Sequence, residues 1–145
     1  MSDSIDFLLE FSDPESGCSV ILDDDGRVAY AYFLNGDRRC VGDVWLYNRC
    51  ETPLEPEWTE RDRAPFANPV EYAASHENFT PVNGATDVTV KWEHGIYGQL
   101  IAFIFIREEL AAALAEGTKP GWSALAAKDG PIAKTIETRP RTGRR

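Results

Sequence analysis

Ile5, Phe7, Leu9 and Phe11 alternate with Asp6, Leu8 and Glu10, a period of two that predicts a first strand, although Ile5, Leu8 and Leu9 also permit a short helix. Asp13-Pro14-Glu15-Ser16-Gly17 ends it. The apolar, β-branched run Cys18 to Leu22 predicts the next strand, and Asp23-Asp24-Asp25-Gly26 a turn in which glycine supplies the positive φ. Arg27 to Leu34 reads as another strand, Asn35-Gly36 as a tight hairpin turn, and Arg38 to Asn48 as the strand that follows. Strands joined in this way make an antiparallel meander. Within Arg38 to Asn48, Cys40, Gly42, Val44 and Leu46 form the expected core face. Val41, Asp43, Trp45 and Tyr47 lie on the opposite face, so both aromatics are expected beside a carboxylate.

The pattern dissolves between Arg49 and Gly84, where five of the nine prolines fall. Trp58, Phe66, Tyr72 and Phe79 are large enough to pin this segment on the sheet, which predicts an ordered loop. One short helix is expected at Pro69 to Ser75, with Asn68 as N-cap, Pro69 at N1 and Glu71 at N3. Alternation returns at Val88, Val90 and Trp92, and His94 to Gly98 predicts a turn. Gln99 to Ile106 is apolar on both faces and reads as a central covered strand. Arg107 to Glu116 predicts the main helix, from its Ala and Leu content, the acids in its first turn and Gly117 as a stop. Trp122 to Lys128 reads as a second short helix and Pro131 to Ile136 as an edge strand. The expected fold is α+β, a mainly antiparallel sheet (meander plus β-β-α-β) with the 107–116 helix packed on one face. One globular domain is expected over residues 1–137, followed by a disordered basic tail at 138–145.

Charge sharpens this picture. The chain carries 24 acidic and 15 basic residues for a net of −9, and residues 1–87 alone hold 18 acids against 6 bases. Such a surface repels nucleic-acid phosphates and anionic bilayers and attracts cationic partners. Tyr30 and Tyr32 beside Arg38-Arg39 therefore do not point to RNA. No apolar run is long enough to span a bilayer and the N-terminus has no signal-peptide pattern, so a cytosolic protein is expected. Cys18, Cys40 and Cys50 are odd in number and form no C-x-x-C, which fits reduced thiols there.

No catalytic or cofactor signature emerges. Asp23-Asp24-Asp25-Gly26 fails the EF-hand pattern because Ile21 and Tyr32 occupy liganding positions. Gly95-Ile96-Tyr97-Gly98 lacks the spacing and following helix of a phosphate loop. His76-Glu77 and Glu93-His94 have no nucleophile in a strained elbow, and neither histidine has metal-ligand spacing. Asn78-Phe79-Thr80 has the form of a sequon, without meaning in a cytosolic chain. No catalytic residue, metal or cofactor is expected.

The segment Glu51 to Asp62 stands out. It places Glu51, Glu55, Glu57, Glu60 and Asp62 around Trp58 on a proline-stiffened backbone, with only Arg61 opposing within it. Tryptophan is a favoured interface anchor, and rim carboxylates speed docking onto a basic surface. These six residues are the expected partner-binding set.

Val41-Gly42-Asp43-Val44-Trp45-Leu46-Tyr47-Asn48-Arg49, followed by Pro56-Glu57-Trp58 and Pro65-Phe66-Ala67-Asn68-Pro69, resembles a pattern in small uncharacterised bacterial proteins, a group that includes immunity proteins of toxin competition systems. The resemblance covers residues 18–72 and implies a cytosolic, non-enzymatic protein that binds and blocks a toxin enzyme. The alternative expectation is a small enzyme or ligand-binding protein with a pocket between the sheet and the 49–84 loop.

Overall fold

The computed structural model describes residues 7–74 and 79–136. Ile5, Ser75, the His76-Glu77 pair, Asn78 and the arginine-rich 138–145 segment lie outside the described residues. Strands β1 (Phe7–Ser12), β2 (Ser19–Asp24), β3 (Val28–Leu34) and β4 (Cys40–Asn48) form one antiparallel meander in chain order. Strands β5 (Val88–His94), β6 (Leu100–Ile106), β7 (Glu109–Ala115), β8 (Trp122–Ser123) and β9 (Lys134–Thr135) form a second sheet, also in chain order, antiparallel except for the β8–β9 pair.

The two sheets pack face to face. Val20, Leu22, Ala29, Ala31, Phe33 and Val44 of the first meet Val88, Ala102, Ile104, Ile106, Ala112 and Leu114 of the second in one core. Phe33 and Trp92 touch edge to face across it, with centroids 5.9 Å apart. The sheets also join at one edge. Thr118 and Ile132 carbonyls accept from the Asp43 and Trp45 amides at 3.0 and 2.9 Å, and the Gly121 amide donates to the Asp43 carbonyl at 2.7 Å. The outer edge of β4 is thereby paired and closed to other strands.

This architecture overturns the α+β expectation. Among the described residues there is no α-helix, only 3-10 turns at Arg61–Arg63 and Ala85–Asp87. The Arg107 to Glu116 segment, expected as the main helix, is strand β7, paired with β6 on one side and β8 on the other. Arg107 and Glu108 have φ of 49° and 74°, and with Ile106 paired to Glu109 they make a two-residue hairpin turn. A ten-residue helix is marginal by itself, so the apolar β6 edge beside it outweighs the helical preference of Ala and Leu. The Trp122 to Lys128 segment holds the short β8 and turns. Pro69 to Ala74, the described part of the other expected helix, is a turn followed by a single bridge from Ala73 to Ala126. The expected edge strand at 131–136 is reduced to β9.

One local irregularity decides which side chains meet the loop. Opposite β3, Ala29 pairs with Tyr47 and Tyr30 with Trp45, leaving Leu46 as the extra residue of a bulge. The bulge turns Tyr47 into the core beside Val44, while Trp45 stays on the outer face with Asp43. The expectation that Trp45 and Tyr47 share the face opposite the core therefore fails for Tyr47. Trp45 is nonetheless fully buried, because the 49–84 loop covers that face.

Candidate functional site

Among its described residues the 49–84 loop has almost no backbone ladder of its own, so buried side chains must satisfy its peptide groups. Asn48 at the end of β4 does much of this. Its Oδ1 accepts from Trp45 Nε1 at 2.9 Å and from the Asn68 amide at 3.0 Å, and its Nδ2 donates to the Asn68 carbonyl at 2.9 Å. Tyr30 Oη donates to the Phe66 carbonyl at 2.8 Å. Glu57, 4% exposed, accepts the Ala67 amide at 3.0 Å through Oε1, while Oε2 pairs with Arg27 and lies 3.7 Å from Arg63. Arg27 also donates to the Pro65 carbonyl at 3.2 Å.

The expected partner-binding residues therefore divide. Glu51, Glu55, Glu60 and Asp62 are exposed. Glu57 points inward and ties the loop to Arg27, the residue just before β3. Trp58 is half-buried, packed edge to face on Tyr72 with centroids 5.1 Å apart, so it serves the fold of the loop. Nothing in the spacing of Glu57 among its acidic neighbours distinguishes it. Its partner, Arg27, lies 30 residues away.

Burial pushes the Glu57 pKa up, but Arg27, the Ala67 amide and Arg63 outweigh it and hold the carboxyl below its ordinary 4.5. A lowered folded-state pKa gives stability that is present above the unfolded value and lost as pH falls through the folded one. Glu57→Gln is expected to lower stability by about 2 kcal/mol at neutral pH, less than a fully buried pair because Arg27 keeps contact with water. Urea unfolding at pH 7 and pH 3 checks this. The gap between wild type and variant should shrink at the lower pH, and an unchanged gap would count against the ion pair as its source.

A cleft opens where this loop meets the sheet. On the outer face of the first sheet, Asp23 pairs with Tyr30 and Tyr32 with Asp43. The Tyr30 and Tyr32 rings stack, 6.2 Å apart and within 14° of parallel. Together with Pro65, Phe66 and Ile132 these side chains line an open cleft of about 540 Å³. Burial raises the Asp43 pKa, partly offset by Lys119. Burial, then Asp23 and Asp43, push Tyr32 up to about 12. Tyr30 is raised further, again mainly by burial. Both phenols thus remain neutral at physiological pH. No motif in the sequence marks this constellation; the connections at Asp25–Arg27 and Asn35–Arg39 set the register that assembles it, and Asp23 and Asp24, expected in the first turn, belong to β2.

The other chemically capable side chains stay apart. Cys18 and Cys50 are half-buried, Cys40 is exposed, and all three are free thiols. His94 is exposed at the end of β5. Among the described residues no group of three His, Cys, Asp or Glu side chains is placed to hold a metal ion. No helix among them is long and apolar enough to cross a membrane. No family model matches the chain, and no curated protein or solved structure matches it either.

Proposed function

We propose that this protein is a cytosolic, non-enzymatic binding domain that docks on a basic protein surface and neutralises its owner, in the manner of a bacterial immunity protein. The observation that carries the reading is the contrast within the 51–62 segment. Glu57 is buried and anchored, whereas Glu51, Glu55, Glu60 and Asp62 project into solvent from the backbone it fixes. A pre-ordered segment loses little entropy on docking, and unneutralised carboxylates attract a cationic partner from a distance.

The experiment captures the partner at low salt, purifies it, and compares association rates for wild type and the E51Q/E55Q/E60Q/D62N variant. The variant should associate about tenfold more slowly at low ionic strength, with the difference vanishing in high salt. Stoichiometric protein should also abolish the partner's activity. Equal rates at low salt would refute the reading.

A small-ligand protein is the second reading, and one observation favours it. A cavity of about 320 Å³ lies between sheet and loop, lined mainly by Leu46, Phe79, Ile106, Leu110 and Leu125, with Glu109 and an Arg107 already paired to Asp87 as its charged groups. A ligand for it would be largely apolar, and a rise in melting temperature with such compounds would support this reading.

A further inference from the structure

We propose that the cleft on the outer face of β2–β4 is an arginine pocket, in which a guanidinium from the partner lies flat on Tyr32 and donates to the carboxylates of Asp23 and Asp43. This deepens the protein-binding reading and rests on it.

The walls select a flat cation. Asp23, Tyr30, Tyr32 and Asp43 share one sheet face, so cross-strand and diagonal neighbours place carboxylates on both sides of an aromatic stack. The stack is held from below, since Tyr30 is tied to the Phe66 carbonyl. Pro65, Phe66 and Ile132 supply an apolar rim. A guanidinium stacks on aromatic faces, is weakly hydrated and bonds carboxylates through a planar fork. A lysine ammonium is compact and strongly hydrated and gains less from such walls. A divalent cation needs six or more oxygens close together; Asp25 also lines the cleft beside Asp23 and Asp43, but among the described residues no three carboxylates are placed to hold a metal ion.

Asp43 adds an independent argument. It is half-buried, and among the described residues its carboxylate joins no ion pair, with Lys119 acting only from longer range. Desolvation is thus borne in the free protein and offset when a cation arrives. Both peptide groups of Asp43 are fixed by Thr118 and Gly121, so the backbone that carries the carboxylate is preset. The cleft is open, which suits a side chain presented by another macromolecule. Its Pro65 wall is held by Arg27, the residue that also pairs with Glu57. Exposed acids and cleft therefore belong to one rigid surface.

The test is a titration of the isotope-labelled full chain with the blocked peptide Gly-Arg-Gly, followed by NMR, beside Gly-Lys-Gly and the neutral Gly-citrulline-Gly. The arginine peptide should shift the signals of Tyr32 and Asp43, the lysine peptide bind several-fold more weakly, and the citrulline peptide leave them in place. Asp43→Asn should weaken arginine binding about tenfold, the loss of one charge-assisted pair. Tyr32→Phe should retain binding and Tyr32→Leu lose it, and the rest of each spectrum reports whether the variant is folded. Equal shifts from arginine and lysine, shifts from citrulline, or arginine shifts confined to the 51–62 loop would each overturn the pocket. If Asp43→Asn binds the purified partner as wild type does, the pocket is refuted while the wider reading survives. That reading has its own failure, equal low-salt association rates when the loop acids are neutralised.

Discussion

Asp24→Ala is expected to destabilise the protein by about 3–5 kcal/mol, the range seen when one partner of a buried ion pair is removed. Asp24 is fully buried at the end of β2. Its Oδ2 accepts from Tyr47 Oη at 2.6 Å and from Arg49 Nε at 2.8 Å, and its Oδ1 accepts from the Gly26 amide at 3.0 Å. Arg49 passes the link on to the Val82 carbonyl at 2.5 Å, and the Val82 amide donates back to Tyr47 Oη at 3.2 Å. One carboxylate thus joins β2, the β2–β3 turn, the end of β4 and the far end of the long loop. Burial and then Asp24 raise the Tyr47 pKa, which keeps its hydroxyl a donor. Truncation strands an arginine whose side chain is 16% exposed, together with a phenol and an amide. Asp24→Asn, which keeps the volume and one acceptor, should cost about half as much. Urea unfolding measures both. Asp24→Leu combined with Arg49→Leu should lose less than the sum of the single changes, since no unpaired charge remains. A loss under 1 kcal/mol for Asp24→Ala would show that water reaches the site.

Asp24 also shows where the sequence is legible and where it is not. Gly26 and Asn35-Gly36 carry local chemistry strong enough to separate β2, β3 and β4, though Asp23 and Asp24 fall in β2 and β4 begins at Cys40, two residues later than expected; alternation alone places β5. Within Asp23-Asp24-Asp25, period two puts the middle residue inward and its neighbours out, but the cation that makes this tolerable is Arg49, on the far side of two strands. Glu57 poses the same problem, because its burial depends on Arg27. The 107–116 segment fails for a different reason. Its turn is built from Arg107 and Glu108, two residues that rarely adopt positive φ, and no glycine or asparagine announces it. Ala112 and Leu114 alternate as a strand requires, but a bulge at Ala111 puts Leu110 on the other face beside Phe105, so period two is broken within the segment and the choice is made by β6 and β8. The cleft at Tyr32 and Asp43 lies between these cases. Its residues are placed by readable turns, while its walls come from Pro65, Phe66 and Ile132, whose approach depends on the side chains that tie down the loop.

Gly121→Ala is the second large effect, expected at about 3 kcal/mol, at the upper end for overpacking because the obstacle is backbone. A Cβ at Gly121 would sit 2.6 Å from the Ala113 carbonyl oxygen and 2.9 Å from Leu114 Cδ2. The leucine methyl can rotate away, but the carbonyl belongs to β7 inside its ladder. Gly121 is itself held from two sides, donating to the Asp43 carbonyl at 2.7 Å and accepting from the Lys134 amide at 2.9 Å. Relief therefore requires β4 or β9 to move away from β7 and lose those bonds. Gly84→Ala is the control. A Cβ there meets nothing within 4 Å, and the residue's φ of 170° is open to any side chain, so that variant should match or slightly exceed wild-type stability. Paired urea titrations of the two variants separate the close approach of Gly121 to β7 from a general intolerance of lost glycine. Because the Asp43 peptide is fastened to this junction, the folded fraction of Gly121→Ala should also bind the arginine peptide more weakly than wild type, with the deficit persisting after correction for unfolded protein.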